Sequence, residues 1–153
     1  MENSVLFPGS FDPFTRGHAD LVERALRIFG TVIVAVGYNE AKSGWIPVGE
    51  RVRALRDFYK DEPRVWIESY TGLTAELAKR LGVSCILRGV RSTTDYEYEL
   101  NIADINHHLA HTETVILLAK PKLASLSSSV VRELAHFGSD ISEWLPEGLT
   151  YRL

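Results

Sequence analysis

The chain has 153 residues, 45% of them hydrophobic, enough apolar material for one core and one domain spanning 1–153. Seventeen Lys and Arg against twenty Asp and Glu leave a net charge of −3, which argues against non-specific nucleic-acid binding but leaves room for a local cationic pocket. The single cysteine excludes an internal disulfide, and no Cys/His group has zinc spacing. No apolar run approaches the roughly 18 residues of a membrane span, and Met1-Glu2-Asn3-Ser4 carries no basic and apolar leader. A soluble protein of the cytoplasm, without membrane or nucleic-acid partners, is the expectation.

Along the chain, Val5-Leu6-Phe7 is a short apolar run and reads as a buried strand. It leaves through a bent, polar turn, PGSFDPFTRGH, over residues 8–18. A helix is predicted over 18–29, with Leu21, Val22, Ala25, Leu26 and Phe29 on one face and Gly30 closing it. The β-branched run 31–36 reads as a strand covered on both faces. A loop carrying Lys42 leads to a helix over 49–59, then a strand over 64–67. A helix over 73–81 stops at Gly82, and Cys85-Ile86-Leu87 forms the next strand. The pattern closes with a longer helix over 95–109, a strand over 114–118 and an amphipathic helix over 128–137. This alternation implies an α/β fold, a Rossmann-like, doubly wound, five-stranded parallel sheet with helices on both faces.

Open parallel sheets bind ligands beyond the carboxyl ends of their strands, near the reversal of strand order. The polar residues fall there: Ser10 and His18 after the first strand, Lys42 after the second, Thr74 after the third, Arg88 and Arg91 after the fourth, and Ser127, Ser128 and Ser129 after the fifth. Gly17-His18 at a helix start sets an imidazole beside free backbone N–H groups, where an anion is favoured. Alone, that histidine reads as an ordinary helix-start residue, and Lys42 as a solvated lysine. Arg88 is harder to dismiss, because a charge directly after an apolar strand requires an anionic partner. Asp95 and Glu97 complement a helix dipole, and the serines can cap the last helix while holding phosphate oxygens. Cys85 reads as a small core residue. Asp104, His107 and His111 share a helical face, with His108 beside them, but at the end remote from the strand exits; they read as surface or subunit contacts rather than metal ligands.

The turn PGSFDPFTRGH as a whole resembles the nucleotidylyltransferase superfamily, marked by a (T/H)xGH turn after the first strand. Asn39 to Lys42 with Glu50-Arg51-Val52, Leu87-Arg88-Gly89-Val90-Arg91, Asp95-Tyr96-Glu97-Tyr98-Glu99 and Ser127 to Glu133 extend the likeness, and within the superfamily they resemble the phosphopantetheine adenylyltransferase family. The likeness runs from Phe7 to about Pro146. It implies transfer of the adenylyl group of ATP to 4′-phosphopantetheine, giving dephospho-coenzyme A and pyrophosphate, the penultimate step of coenzyme A synthesis. It further implies Mg2+ arriving with ATP, coenzyme A as a feedback inhibitor, and a homohexamer.

By the same resemblance, His18, Lys42 and Arg91 are catalytic. ATP is held by Ser10, Phe11, His18, Gly89, Val90, Arg91 and Glu99 with the segment Leu123, Ala124, Ser125, Leu126, Ser127, Ser128 and Ser129. The acceptor is held by Ser10, Lys42, Thr74 and Arg88, with Arg88 gripping its phosphate in forked fashion, and Gly89 lets the backbone approach the nucleotide. The acceptor phosphate is already anionic, which fits the absence of a serine–histidine–aspartate set or paired carboxylates and implies in-line attack without a covalent intermediate. Ser10, Glu40, Thr74, Leu123 and Ser125 depart from the commonest family pattern, the last two standing where aromatic residues are frequent. Two alternatives stay open: another nucleotidylyltransferase, such as nicotinamide mononucleotide adenylyltransferase, and a nucleotide-binding sensor without catalysis.

Overall fold

The computed structural model describes residues 3–153; Met1 and Glu2, part of the leader reading, lie outside the described residues. Five strands form one parallel sheet: β1 (Ser4–Gly9), β2 (Thr31–Gly37), β3 (Val65–Tyr70), β4 (Cys85–Val90) and β5 (Glu113–Leu118). Their order is β3-β2-β1-β4-β5, so the chain steps outward from β1 on one side, returns, and steps outward on the other. The helices are α1 (Arg16–Ala25), α2 (Val48–Phe58), α3 (Thr74–Leu81), α4 (Thr93–Ala110) and α5 (Ser128–His136).

Both faces of the central strands are covered, which is why they are continuous apolar runs. Val5 and Phe7 of β1 with Val32, Val34 and Val36 of β2 face α1 and α2, joined by Leu21, Val22, Val52 and Leu55. Leu6, Ile33, Ala35 and Ile86 face the other way and pack on Leu77 and Ala78 of α3. Register carries that second row across the sheet, Leu6 opposite Ile33 and Ile86. The doubly wound arrangement expected from the alternation is present. Among the described residues no helix is long and apolar enough to cross a membrane.

Helix limits differ from the periodicity reading where caps decide them. Helix α1 starts at Arg16 because Thr15 caps it, and after Ala25 the hydrogen bonds shorten, Arg27 N–H to the Arg24 carbonyl and Ile28 N–H to that of Ala25. Leu26 and Phe29 still pack on the core, so the apolar face outlasts the helix. Helix α4 starts at Thr93, with Ser92 accepting the Asp95 N–H at 3.2 Å.

Candidate active site

The polar turn after β1 is held by its own aromatic residues. Gly9 leaves no room for a side chain, since a Cβ there would lie 3.0 Å from the Phe11 ring. Phe11 has φ 47°, a region that costs a non-glycine residue, and its ring meets the His18 ring edge-on with centroids 5.0 Å apart. Phe14 stands 5.4 Å and Phe7 6.2 Å from the same imidazole.

Thr15 and His18 then form a capping box with histidine in the place usual for glutamate or glutamine. The Thr15 hydroxyl accepts the His18 N–H at 3.4 Å, and the Thr15 N–H donates to His18 Nδ1 at 3.0 Å. A ring nitrogen that accepts carries no proton, so the neutral imidazole holds its hydrogen on Nε2. Burial first, then the charges of Arg91 and Arg88, bring the His18 pKa from 6.5 to about 3. His18 is therefore neutral, in one tautomer, with an Nε2–H that has no protein partner among the described residues.

His18 lines a cavity of about 470 Å³ together with the carboxyl ends of β1 and β4, where strand order reverses. The N-termini of α1 and α5 both reach it, bringing the partial positive charge of their free N–H groups. Four cations line it: Arg88, Arg91, Lys120 and Arg132. Three are paired with carboxylates of the same wall. Arg88 grips Glu99 with Nε and Nη2 at 2.8 and 2.7 Å and sends Nη1 to the Pro8 carbonyl at 3.0 Å. Arg91 pairs with Asp95 at 3.1 Å and donates to the Leu126 carbonyl. Lys120 meets Asp20; burial alone would raise that carboxyl, but hydrogen bonds from Lys120 and Arg24 outweigh it and hold Asp20 below its ordinary value. Arg132 has no carboxylate among the described residues; it donates to the Asp12 carbonyl at 2.7 Å and the Ser129 hydroxyl at 3.2 Å.

A second cavity of about 450 Å³ adjoins the first beyond β2 and shares Pro8, Gly9, Ser10 and Arg88 with it. Lys42 lines this second space, in an exposed turn closed by its N–H donating to the Asn39 carbonyl at 3.0 Å. Arg51, 4% exposed, lines it too and donates to the main-chain carbonyls of Ser10, Ile46 and Gly37.

The first cavity gathers Ser10, Phe11, His18, Arg88, Gly89, Arg91, Glu99, Leu123, Leu126 and the three serines. The other expected residues lie outside the first cavity's wall or have a further contact of their own. Lys42 is in the adjoining cavity, because its loop leaves β2 on the far side of β1. Val90 is buried at 6% exposure and, like Ala124 and Ser125, is absent from the wall. Thr74 lines neither cavity; its hydroxyl shares a 2.9 Å hydrogen bond with that of Tyr70, which does line the second. Gly89 lines the first cavity and also packs closely, since a Cβ would lie 2.4 Å from Leu21 Cδ1 on α1. The fork of Arg88 is engaged by Glu99, so the anion demanded by its position comes from the chain itself.

Arg132, Lys120, Asp20, Tyr98 and Arg51 line the cavities without a role assigned from the sequence, although Arg51, Tyr98 and Arg132 lie in stretches that carry the family resemblance. Arg132 follows Ser128 by four residues on one helix face, a spacing that could have flagged it. The others depend on packing. His107 faces Glu113 at 3.3 Å on the exposed far end of α4, and Cys85 packs against the core, partly buried.

Residues 6–134 match the family described as Cytidylyltransferase-like. A phosphopantetheine adenylyltransferase of Porphyromonas gingivalis is 47% identical over 147 residues, 96% of each chain. One of Bacteroides fragilis is 46% identical, covering 95% of this chain and 97% of that one. The chain belongs to the phosphopantetheine adenylyltransferase family. It is thus a nucleotidyltransferase, and the family resemblance of its motifs extends to nearly the full chain. Among solved structures, a bifunctional NMN adenylyltransferase/ADP ribose pyrophosphatase from Francisella tularensis superposes with a TM-score of 0.72 at 15% identity, over 95% of this chain and 45% of that one. A NadR protein in complex with NAD and AMP-PNP gives 0.62 at 19% identity, over 89% of this chain and 43% of that one. At such identities the likeness is one of fold.

Proposed function

We propose that the two cavities are the two substrate sites of adenylyl transfer from ATP to 4′-phosphopantetheine. The nucleotide occupies the first cavity, with its β- and γ-phosphates on the N–H groups of α5, Ser127, Ser128, Ser129 and Arg132, and its base against Leu123 and Leu126. The acceptor phosphate occupies the second, beside Lys42 and Arg51. The two meet at Ser10 and Arg88, the shared wall. Of the five guanidinium N–H groups of Arg88, three are engaged by Glu99 and Pro8, and two are left for a substrate oxygen.

The acceptor oxygen attacks the α-phosphorus in line as pyrophosphate leaves. No side chain has to remove a proton, because the nucleophile is already an anion. The chain supplies alignment and stabilises charge growing on the α-phosphate oxygens. The Nε2–H of His18 is the donor for that charge, assisted by Arg91, while Lys42 follows the acceptor phosphate on its exposed turn. Mg2+ enters as MgATP, since the carboxylates Asp20, Asp95 and Glu99 are each engaged by a cation. Coenzyme A shares chemistry with both substrates and competes across both cavities. One domain over 1–153, cytoplasmic, carries the reaction.

Helix α4 supports assembly into a homohexamer: of its 18 residues only Glu99 and Asn106 are buried, and Tyr98, Leu100, Ile105 and Leu109 are exposed. The observation that carries the functional reading is His18 in the wall of the first cavity, its Nδ1 taken by the Thr15 N–H so that the hydrogen is left on Nε2. The test is pyrophosphate release from MgATP with 4′-phosphopantetheine, with nicotinamide mononucleotide, or with no acceptor. Release with 4′-phosphopantetheine alone is expected. Release with the mononucleotide would point to the other transferase, and ATP binding without release to a sensor.

A further inference from the structure

The loop between β2 and α2 is exposed from Asn39 to Trp45, yet Ile46 at its end is fully buried. Both main-chain groups of Ile46 are taken: its N–H donates to Asp12 Oδ1 at 2.8 Å, and its carbonyl accepts from Arg51 Nε at 2.8 Å. The other Asp12 oxygen accepts the Trp45 N–H at 2.8 Å. A third observation is steric. A Cβ on Gly44 would stand 2.6 Å from Asp12 Oδ2 and 3.2 Å from Arg51 Nη2, so the chain crosses the two side chains at a point where only glycine fits. Asp12 is 7% and Arg51 4% exposed, and Asp12 has spent both oxygens on main-chain N–H groups rather than turning one toward a ligand. A carboxylate holding two amides is a strong, directional anchor.

We propose that Asp12 is a positioning residue for Lys42: with Arg51 it pins residues 44–46, so that only the turn over 39–43 moves. This rests on the role given to Lys42 above. Lys42 lies two residues before Gly44, and two residues span at most about 7 Å of backbone, so the anchor keeps the Lys42 main chain at the second cavity and its ammonium group within one side chain's reach of it. The Asp12 carbonyl also accepts from Arg132, so one residue ties the acceptor-side loop to the nucleotide-side helix α5.

Asp12→Asn keeps shape but replaces one acceptor by an NH2 group that repels an amide. It is expected to lower kcat/KM for 4′-phosphopantetheine by about 10- to 100-fold, as small misplacements do, with KM for ATP unchanged. Trypsin should cleave after Lys42 about tenfold faster, well below the melting temperature, because a released loop samples open states more often. The double variant Asp12→Asn/Lys42→Ala should cost little more than Lys42→Ala alone, since without the lysine there is no side chain for Asp12 to position. Gly44→Ala, which wedges the clamp from the loop side, should reproduce the cleavage and kinetic changes if Asp12→Asn does not fold. Unchanged cleavage after Lys42, or losses that multiply in full in the double variant, would overturn the clamp. If Lys42→Ala alone leaves turnover intact, the role of Lys42 falls, and the cleavage rates still decide whether Asp12 holds the loop.

Discussion

Replacing His18 by Ala removes the Nε2–H donor but leaves the helix termini, Arg91 and Arg132 in the cavity. A fall in kcat of roughly 10²–10³ with ATP binding retained is expected, measured by steady-state kinetics beside nucleotide titration; near-normal turnover would remove His18 from the mechanism. The same residue governs acid stability. In the unfolded chain the imidazole protonates below about 6.5, whereas in the fold it resists until about 3. Between those values unfolding takes up a proton, so this contribution is complete above 6.5 and is lost as the pH falls toward 3. His18→Gln keeps a cap acceptor for Thr15 and does not titrate, so its melting temperature should drop less than the wild type's between pH 7 and pH 5. At this scale the sequence was partly legible. Gly17-His18 marked the first turn of the helix, two residues inside its actual start at Arg16, but the tautomer of His18 follows from the Thr15 N–H, a contact visible only once the turn is folded. Arg88 announced that it needed an anion; that Glu99 supplies it depends on how α4 returns over β4.

At the scale of elements, the contact between α1 and β4 sets where His18 sits. Gly89→Ala would drive a methyl into Leu21 Cδ1, so the buried Leu21 side chain has to rotate into the packed core or the helix carrying His18 has to shift. A loss of about 1–3 kcal/mol in denaturant unfolding is expected for such overpacking, accompanied by a lower kcat. Leu21→Ala added to Gly89→Ala should restore part of the rate if the helix shift is the cause, and none if Gly89 serves the nucleotide. The alternation of strands and helices was readable because a strand covered on both faces must be an apolar run, as 31–36 is. Helix limits were not, because caps such as Thr15 and Ser92 decide them and apolar periodicity continues into the following turn. The glycine at 89 was legible as a demand for space; which neighbour claims that space was not.

For the whole molecule, net charge and site charge have opposite signs. The chain carries −3, while the first cavity holds Arg132 without a carboxylate partner among the described residues and two helix N-termini. Attraction of ATP is therefore local and exposed to salt. Its KM should rise as ionic strength goes from about 0.05 to 0.5 M, where screening falls well inside the width of the crevice, and the rise should be smaller in Arg132→Gln. A KM indifferent to salt would mean that hydrogen bonds, not charge, hold the triphosphate. The fold class was legible at this scale, and so was the edge of the sheet at which ligands gather, since that edge follows from parallel order alone. The division into two cavities was not, because it depends on which side of β1 each loop leaves.

The wall common to those cavities is thin: the exit of β1 and the guanidinium of Arg88. A single compound carrying a nucleotide at one end and a phosphorylated pantoyl arm at the other would need only a short tether to fill both. Its second end would then bind at the high effective concentration that a short linker confers. The partition that keeps two reactants apart until they are aligned is also the natural place to bridge them with one inhibitor.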